Sequence, residues 1–382
     1  MRNWLLPEYV EDVLPAEASQ IERLRRSLLD LFEVHGYQLV IPPMMEYLES
    51  LITGVGYDLD LATFKVVDQL TGKLMGIRAD ITPQTARIDA HMLNNQGVTR
   101  LCYAGSVLRT SPDGLAQTRE PMQVGAELFG HAGIAGDKEI QRLMIKGLQI
   151  SGVKSLHIDF NHVGIFDALI KDSDPVHEKA LYRALQSKDQ TEVKALTKNL
   201  DHATRDALCA LTELNGDPSI LLDASKRLPK IPAINHALEE LSEVCAQLKD
   251  LNVEVSLDLA ELRGYNYHSG IVFAAYAQGY PGPLALGGRY DEVGKSFGRA
   301  RPAAGFSLDL RGLVKAMPST NLKKCILAPY GNDKLLISKI EELRESGEKV
   351  VQELPGHEAF VDELNFDRKL KKIDGVWQVV IA

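Results

Sequence analysis

From Ala16 onward, apolar residues recur at intervals of three and four: Ile21, Leu24, Leu28, Leu31 and Phe32, with Arg23, Arg25 and Arg26 set among them. This spacing predicts an amphipathic helix, with Gly36 as its stop. Tyr37 to Ile41 reads as an edge strand ended by Pro42 and Pro43. Phe64–Asp68 and Lys73–Arg78 flank Leu70, Thr71 and Gly72, a hairpin pattern. A helix is expected from Thr82 to His91 with Pro83 in its first turn. Strands are expected over Leu101–Leu108 and Met122–Leu128, joined by a polar loop from Thr110 to Glu120. The first half therefore predicts an α+β fold, an antiparallel sheet flanked by helices.

The pattern changes between Val176 and Asp250. Leu181, Ala184 and Leu185, then Val193, Leu196 and Leu200, then Ala237, Leu238, Leu241, Val244, Cys245 and Leu248 keep helical spacing, so residues 176–250 read as a helical insertion. Strand character returns at Val253–Leu257 and Gly270–Ala274. Met317 to Asn321 has linker composition. Beyond it, Cys325–Ala328, Lys334–Arg344 and Lys349–Val351 predict strand, helix and strand. The expected division is a large domain over 1–320, carrying the insertion, and a small α/β tail over 321–382. No internal repeat or low-complexity segment stands out.

With 382 residues the chain is long enough for two or three domains, and 45% hydrophobic with 25% charged residues is ordinary for a soluble globular protein. The formal net charge of -9 presents an acidic average surface, which argues against a nucleic acid partner. The four cysteines, Cys102, Cys209, Cys245 and Cys325, are far apart with no Cys-x-x-Cys pair, so buried free thiols are expected rather than a metal site or disulfides. Pro7 and Glu8 break the short apolar run at the N-terminus before a signal-peptide core forms. No stretch has the apolar length of a membrane span. A cytoplasmic location, with no membrane partner, is the expectation.

The candidate chemistry lies in separated polar stretches. A free amino acid carries a cationic amine and an anionic carboxylate, so a selective pocket needs fixed acids for one and a fixed base for the other. Asp80 and Glu127 supply acids, and Arg109 or Arg263 a base. Gln123 and Glu127 lie four apart in an extended segment, which puts both on one face. Alone, each fragment has a plainer reading: Thr82 as a helix cap beside a solvated Asp80, Gln123 and Glu127 as a solvated strand face, and residues 263–270 as a polar hairpin end. The run from Gly288 to Ser296 approaches a phosphate-binding loop, but five residues separate its glycines where four are required.

Together, Arg78-Ala79-Asp80-Ile81-Thr82, Gln123-Val124-Gly125-Ala126-Glu127, Arg263-Gly264-Tyr265-Asn266-Tyr267-His268 and Gly287-Gly288-Arg289-Tyr290-Asp291 resemble the histidine-binding face of class II histidyl-tRNA synthetases. The resemblance implies that Asp80, where that family usually has glutamate, and Thr82 hold the amine. Gln123 and Glu127 complete the amine and side-chain pocket, Arg263 approaches the carboxylate, and Tyr267 lines the imidazole. His268 and Asn266 stand where the family commonly has tyrosine and aspartate. On the ATP side, Arg109 matches the phosphate-binding arginine, but Ser111 replaces a glutamate and Gln117 an arginine. Asp309 replaces a glycine, and the family's last arginine falls on Gly312, unless a one-residue shift brings in Arg311. An acid facing a triphosphate repels it. The tail is also shorter than the usual anticodon-binding domain.

This combination resembles the ATP phosphoribosyltransferase regulatory subunit family, paralogues of histidyl-tRNA synthetase, over roughly residues 5 to 315. The resemblance implies a chain without catalytic residues, metal or cofactor. It implies L-histidine bound by Asp80, Thr82, Arg109, Gln123, Glu127, Arg263, Tyr267 and His268. A homodimer core would join a short-form catalytic subunit in a hetero-octamer, and the chain would activate the first step of histidine biosynthesis. Two alternatives stay open: a shortened histidyl-tRNA synthetase or histidine-activating enzyme, and a module for another amino acid.

Overall fold

The computed structural model describes residues 5–52, 57–112, 114, 117–171, 174–262, 264, 267–318, 324–357, 360 and 363–382. The first helix, Pro15–Val34, opens with proline in its first turn and buries Ile21, Leu24, Leu28 and Phe32. Gly36 follows in the left-handed region at φ 84°, where a side chain would be strained. The next strand is shorter than Tyr37–Ile41: β1 is only Gln38–Leu39. Tyr37 still donates its N–H to Phe32 at the helix end, and the prolines that follow have no N–H to extend the ladder.

Strands β2 (Met45–Tyr47), β3 (Phe64–Val67) and β4 (Leu74–Ile77) form a small sheet in the order β2-β4-β3. The β3–β4 hairpin turns at Asp68, whose carboxylate accepts from the Leu70 N–H at 3.1 Å and the Thr71 hydroxyl. The helix beginning at Thr82 is regular only to Arg87 and then widens to a π-helix over Ile88–Leu93, where the sequence predicts one uniform helix to His91. Asp89, inside the widened turn, forms a buried ion pair with Arg301 at 2.7 Å.

The main sheet takes β5 (Thr99–Ser106), β6 (Met122–Phe129), β7 (Leu156–His162), β8 (Asn215–Gly216), β9 (Glu254–Asp258), β10 (Ile271–Ala277), β11 (Ala285–Arg289) and β12 (Ala303–Asp309). Among the described residues its order is β1-β5-β6-β12-β11-β10-β7-β9-β8. The ladder from β5 to β7 is antiparallel throughout, while β1 and β9 pair in parallel with β5 and β7. The Pro15–Val34 helix and a second long helix, Ile134–Ile150, share one apolar core with the sheet, built on Phe32, Ile140, Met144, Phe160, Phe166 and Phe306. The α+β class expected from the sequence is the class observed.

The insertion folds as helices Pro175–Gln186, Gln190–Leu196, His202–Leu211, Ile220–Arg227 and Pro232–Gln247. Asp189 and Asp201 cap the second and third of these by accepting backbone N–H groups at 2.9 and 3.0 Å.

Contacts divide the chain into two compact units, Met1–Pro318 and Ser319–Ala382. In the smaller unit, β13 (Cys325–Ala328), β14 (Val350–Gln352), β15 (Phe366–Ile373) and β16 (Val376–Ile381) form a sheet in the order β14-β13-β15-β16. Helix Lys334–Glu345 joins Leu336 and Ile340 to Ile326, Val350 and Leu370 in a separate core. Among the described residues, no helix is long and apolar enough to cross a membrane.

Candidate functional site

Strand β6 places Gln123 and Glu127 on one face, both buried, at the side of a cavity of about 220 Å³. Each Glu127 carboxylate oxygen accepts a phenol: Tyr103 Oη donates at 2.9 Å and Tyr290 Oη donates to the other oxygen. Thr82 Oγ1 lies 3.0 Å from Tyr103 Oη, which extends the chain of hydrogen bonds. The Glu127 carboxyl is pushed up to about 8: burial raises it most, the two phenol bonds offset part of that rise, and the nearby Asp80 charge adds to it. Directly across the ladder, β12 presents Gly305, where a Cβ would overlap the Glu127 carboxylate.

A second polar cluster surrounds Asp80. Gln123 Nε2 donates to Asp80 Oδ1 at 2.7 Å, and the backbone N–H of Thr82 donates to the same oxygen at 3.1 Å. The Ile81 N–H donates to Gln123 Oε1 at 2.9 Å, which fixes the amide's orientation. Thr82 does not cap its helix with its side chain: its hydroxyl is turned to Tyr103, and Asp80 makes the local backbone bond instead.

Tyr267 and His268 form the opposite wall. Tyr267 packs on Tyr290 with ring centroids 5.1 Å apart and meets His268 edge-on at 5.3 Å. The Tyr267 hydroxyl oxygen is buried and has no hydrogen-bond partner among the described residues. His268 Nδ1 lies 3.0 Å from the Gly264 carbonyl, and desolvation pushes its pKa down to about 4, so the ring is neutral near pH 7. Its ring also lies against β11, where a Cβ at Gly288 would come within 2.5 Å of it.

Asp80, Thr82, Arg109, Gln123, Glu127, Tyr267 and His268 all line this one cavity. Arg109 donates its Nε to the Ala79 carbonyl at 3.3 Å, which anchors it beside the Asp80 cluster. Arg263 lies outside the described residues, as do Tyr265 and Asn266. Arg289 belongs to the framework: buried, it ion-pairs with Asp137 and donates to the His131 and Gly133 carbonyls at 3.2 Å.

Several lining residues escaped the sequence reading. Asp159 and Asn161 from β7, Asp258 at the end of β9, and Glu261 also line the cavity, three of them acids. Lys188 neutralises Asp258 at 2.7 Å. These acids carry no spacing signal, because β7 and β9 come together in parallel across a long insertion. Tyr103, buried behind Glu127, likewise sits in an ordinary apolar strand pattern.

The ATP-side expectations resolve differently. Asp309, expected to face phosphates, is the N-cap of helix Leu310–Ala316: its carboxylate accepts the N–H groups of Arg311, Gly312 and Met122. Arg311 is directed to Glu120, 3.6 Å away, and does not line the cavity. Among the described residues, no cluster of His, Cys, Asp and Glu could hold a metal ion, and all four cysteines are buried free thiols.

A nine-stranded, mostly antiparallel sheet with this cavity at its centre is the class II synthetase architecture of the histidyl type. Residues 9–313 match the family model described as histidyl-tRNA synthetase. A Nostoc histidyl-tRNA synthetase structure superposes with a TM-score of 0.79 at 17% identity, covering 99% of this chain and 97% of that one, a likeness of fold alone. Residues 323–380 match a second model, the ATP phosphoribosyltransferase subunit HisZ C-terminal domain, which accounts for the short tail. The chain is 66% identical to the ATP phosphoribosyltransferase regulatory subunit of Methylobacillus flagellatus and 53% identical to that of Nitrosospira multiformis, covering 100% of this chain and 99% of each relative. A Bacillus halodurans structure titled an ATP phosphoribosyltransferase regulatory subunit/histidyl-tRNA synthetase gives a TM-score of 0.82 at 26% identity, covering 94% of this chain and 96% of that one. The chain belongs to the family of ATP phosphoribosyltransferase regulatory subunits.

Proposed function

We propose that this chain is a non-catalytic histidine sensor that activates a short-form ATP phosphoribosyltransferase catalytic subunit at the first step of histidine biosynthesis. It would act from a homodimer core within a hetero-octamer. The cavity is the observation that carries the reading. At about 220 Å³ it is smaller than the roughly 300–1,000 Å³ of drug-sized ligand sites, which suits a single amino acid better than a nucleotide. Asp80, held by Gln123 and Thr82, would take the ammonium group. Glu127 and the unpartnered Tyr267 hydroxyl would take the imidazole nitrogens, and Arg109 the carboxylate. A buried hydroxyl without a partner costs about 1–3 kcal/mol, so a ligand that satisfies it gains selectively.

The family names support the regulatory role. Arg311 lies 3.6 Å from Glu120 and outside the cavity lining, which supports the loss of ATP handling, whereas Asp309, spent as a helix N-cap, does not repel a triphosphate in the cavity. Any effect of histidine on the affinity for the partner must be reciprocal, with the partner altering histidine affinity by the same factor. The decisive experiment mixes the chain with a short-form catalytic subunit and measures the transferase rate with and without histidine. A rate increase on adding the chain is expected, with a modulation by histidine that Asp80→Ala abolishes. Arg109 at the cavity favours the second reading, a shortened histidine-activating enzyme, and histidine-dependent exchange of pyrophosphate into ATP would establish that reading in place of the first.

A further inference from the structure

The helical insertion carries a groove that the histidine reading does not use. It has a volume of about 610 Å³ and is lined by Lys194, Lys198, Arg205 and Arg227, with Asp206 at its rim and the buried Cys209 among its lining residues. The cations come from three successive helices: Gln190–Leu196 with the turn after it, His202–Leu211, and Ile220–Arg227. Polar neighbours hold three of them: Lys194 Nζ donates to Gln190 Oε1 at 3.3 Å, Arg227 pairs with Glu213 at 2.6 Å, and Arg205 Nε lies 3.9 Å from Asp206. Counting Asp206 and Glu213 against the four cations leaves an excess of two positive charges in one concavity, on a chain whose net charge is -9.

We propose that this groove binds a small anion bearing two or more phosphate groups. Two guanidinium and two ammonium groups lining one hollow match several phosphate oxygens better than a single carboxylate. The volume lies within the range of small-molecule sites. A nucleic acid duplex fits the observations less well, because its recognition calls for an extended basic stripe and here the positive charge is confined to one hollow of an acidic protein.

The test is isothermal titration of the full-length protein with inorganic tripolyphosphate, run beside a nucleoside triphosphate and a sugar diphosphate to identify the source of the phosphates. Saturable binding is expected, weakened about tenfold by K198Q and again by R205Q, and weaker at higher salt. Lys198 is exposed and Arg205 half-buried, so both variants should keep the parent's circular dichroism and melting temperature. A nucleotide or sugar phosphate binding more tightly than tripolyphosphate also supports the site. No saturable heat up to about 10 mM ligand, or affinity unchanged in both variants, overturns it. So does a preference for an RNA duplex over all three small anions.

Discussion

Glu127 sets the pH behaviour of the site. Its carboxyl is raised from about 4.5 to about 8 in the fold, so between these values the folded state keeps a proton that the unfolded chain releases. This contribution is complete below about pH 4.5 and is lost as the pH rises through about 8, by at most about 1.4 kcal/mol per pH unit. His268 acts in the other direction: its pKa is lowered from 6.5 to about 4, so its contribution is lost as the pH falls through that window. Urea unfolding from pH 5 to 8 should show a falling stability above pH 6.5 that Glu127→Gln flattens. A cationic ligand group favours ionised Glu127, so histidine binding at pH 7 should release protons, seen as a dependence of the calorimetric heat on buffer ionisation. At this scale the sequence was informative where spacing and resemblance act locally. The four-residue separation of Gln123 and Glu127 predicts their common face, and both side chains line the cavity. It was silent on the unpartnered Tyr267 hydroxyl and on Tyr103, whose roles depend on what folds against them.

Elements are locked together by buried charge as well as by apolar packing. Arg289 of β11 and Asp137 of helix Ile134–Ile150 are both almost fully buried, so each neutralises the other where water cannot. Asp137→Ala leaves the buried guanidinium with only the part-exposed Asp291, 3.1 Å away, and should cost about 3 kcal/mol in urea unfolding. The double variant Asp137→Ala with Arg289→Met should recover much of that loss, because the buried guanidinium goes with its buried partner. The Ile134–Ile150 helix carries its own signal, with Ile140, Leu143, Met144, Gly147 and Leu148 buried at helical spacing. The C-terminal hairpin also announces itself: Asp374 and Gly375 turn with φ of 48° and 82° between alternating strands, the pairing expected of a tight hairpin. What the sequence hides is the π-helical widening at Ile88, since Asp89 has no local partner and its arginine is far along the chain.

At the scale of the whole molecule, two units with separate cores should behave as two cooperative systems. Differential scanning calorimetry should resolve two transitions. Histidine should raise the one belonging to residues 1–318, by an amount set by ligand excess over its dissociation constant, and leave the transition of the 319–382 unit unmoved. The boundary is legible from the proline and polar residues near Met317. The identity of the tail is not, because its motifs are short and generic, and it emerges only by comparison with relatives. The bare backbone at Gly305 carries a last consequence for anyone reshaping ligand choice. With any side chain there displacing the Glu127 carboxylate, saturation mutagenesis at that position should yield only inactive or misfolded clones. New preferences would then arise from other lining residues, at Asp80, Arg109 and His268.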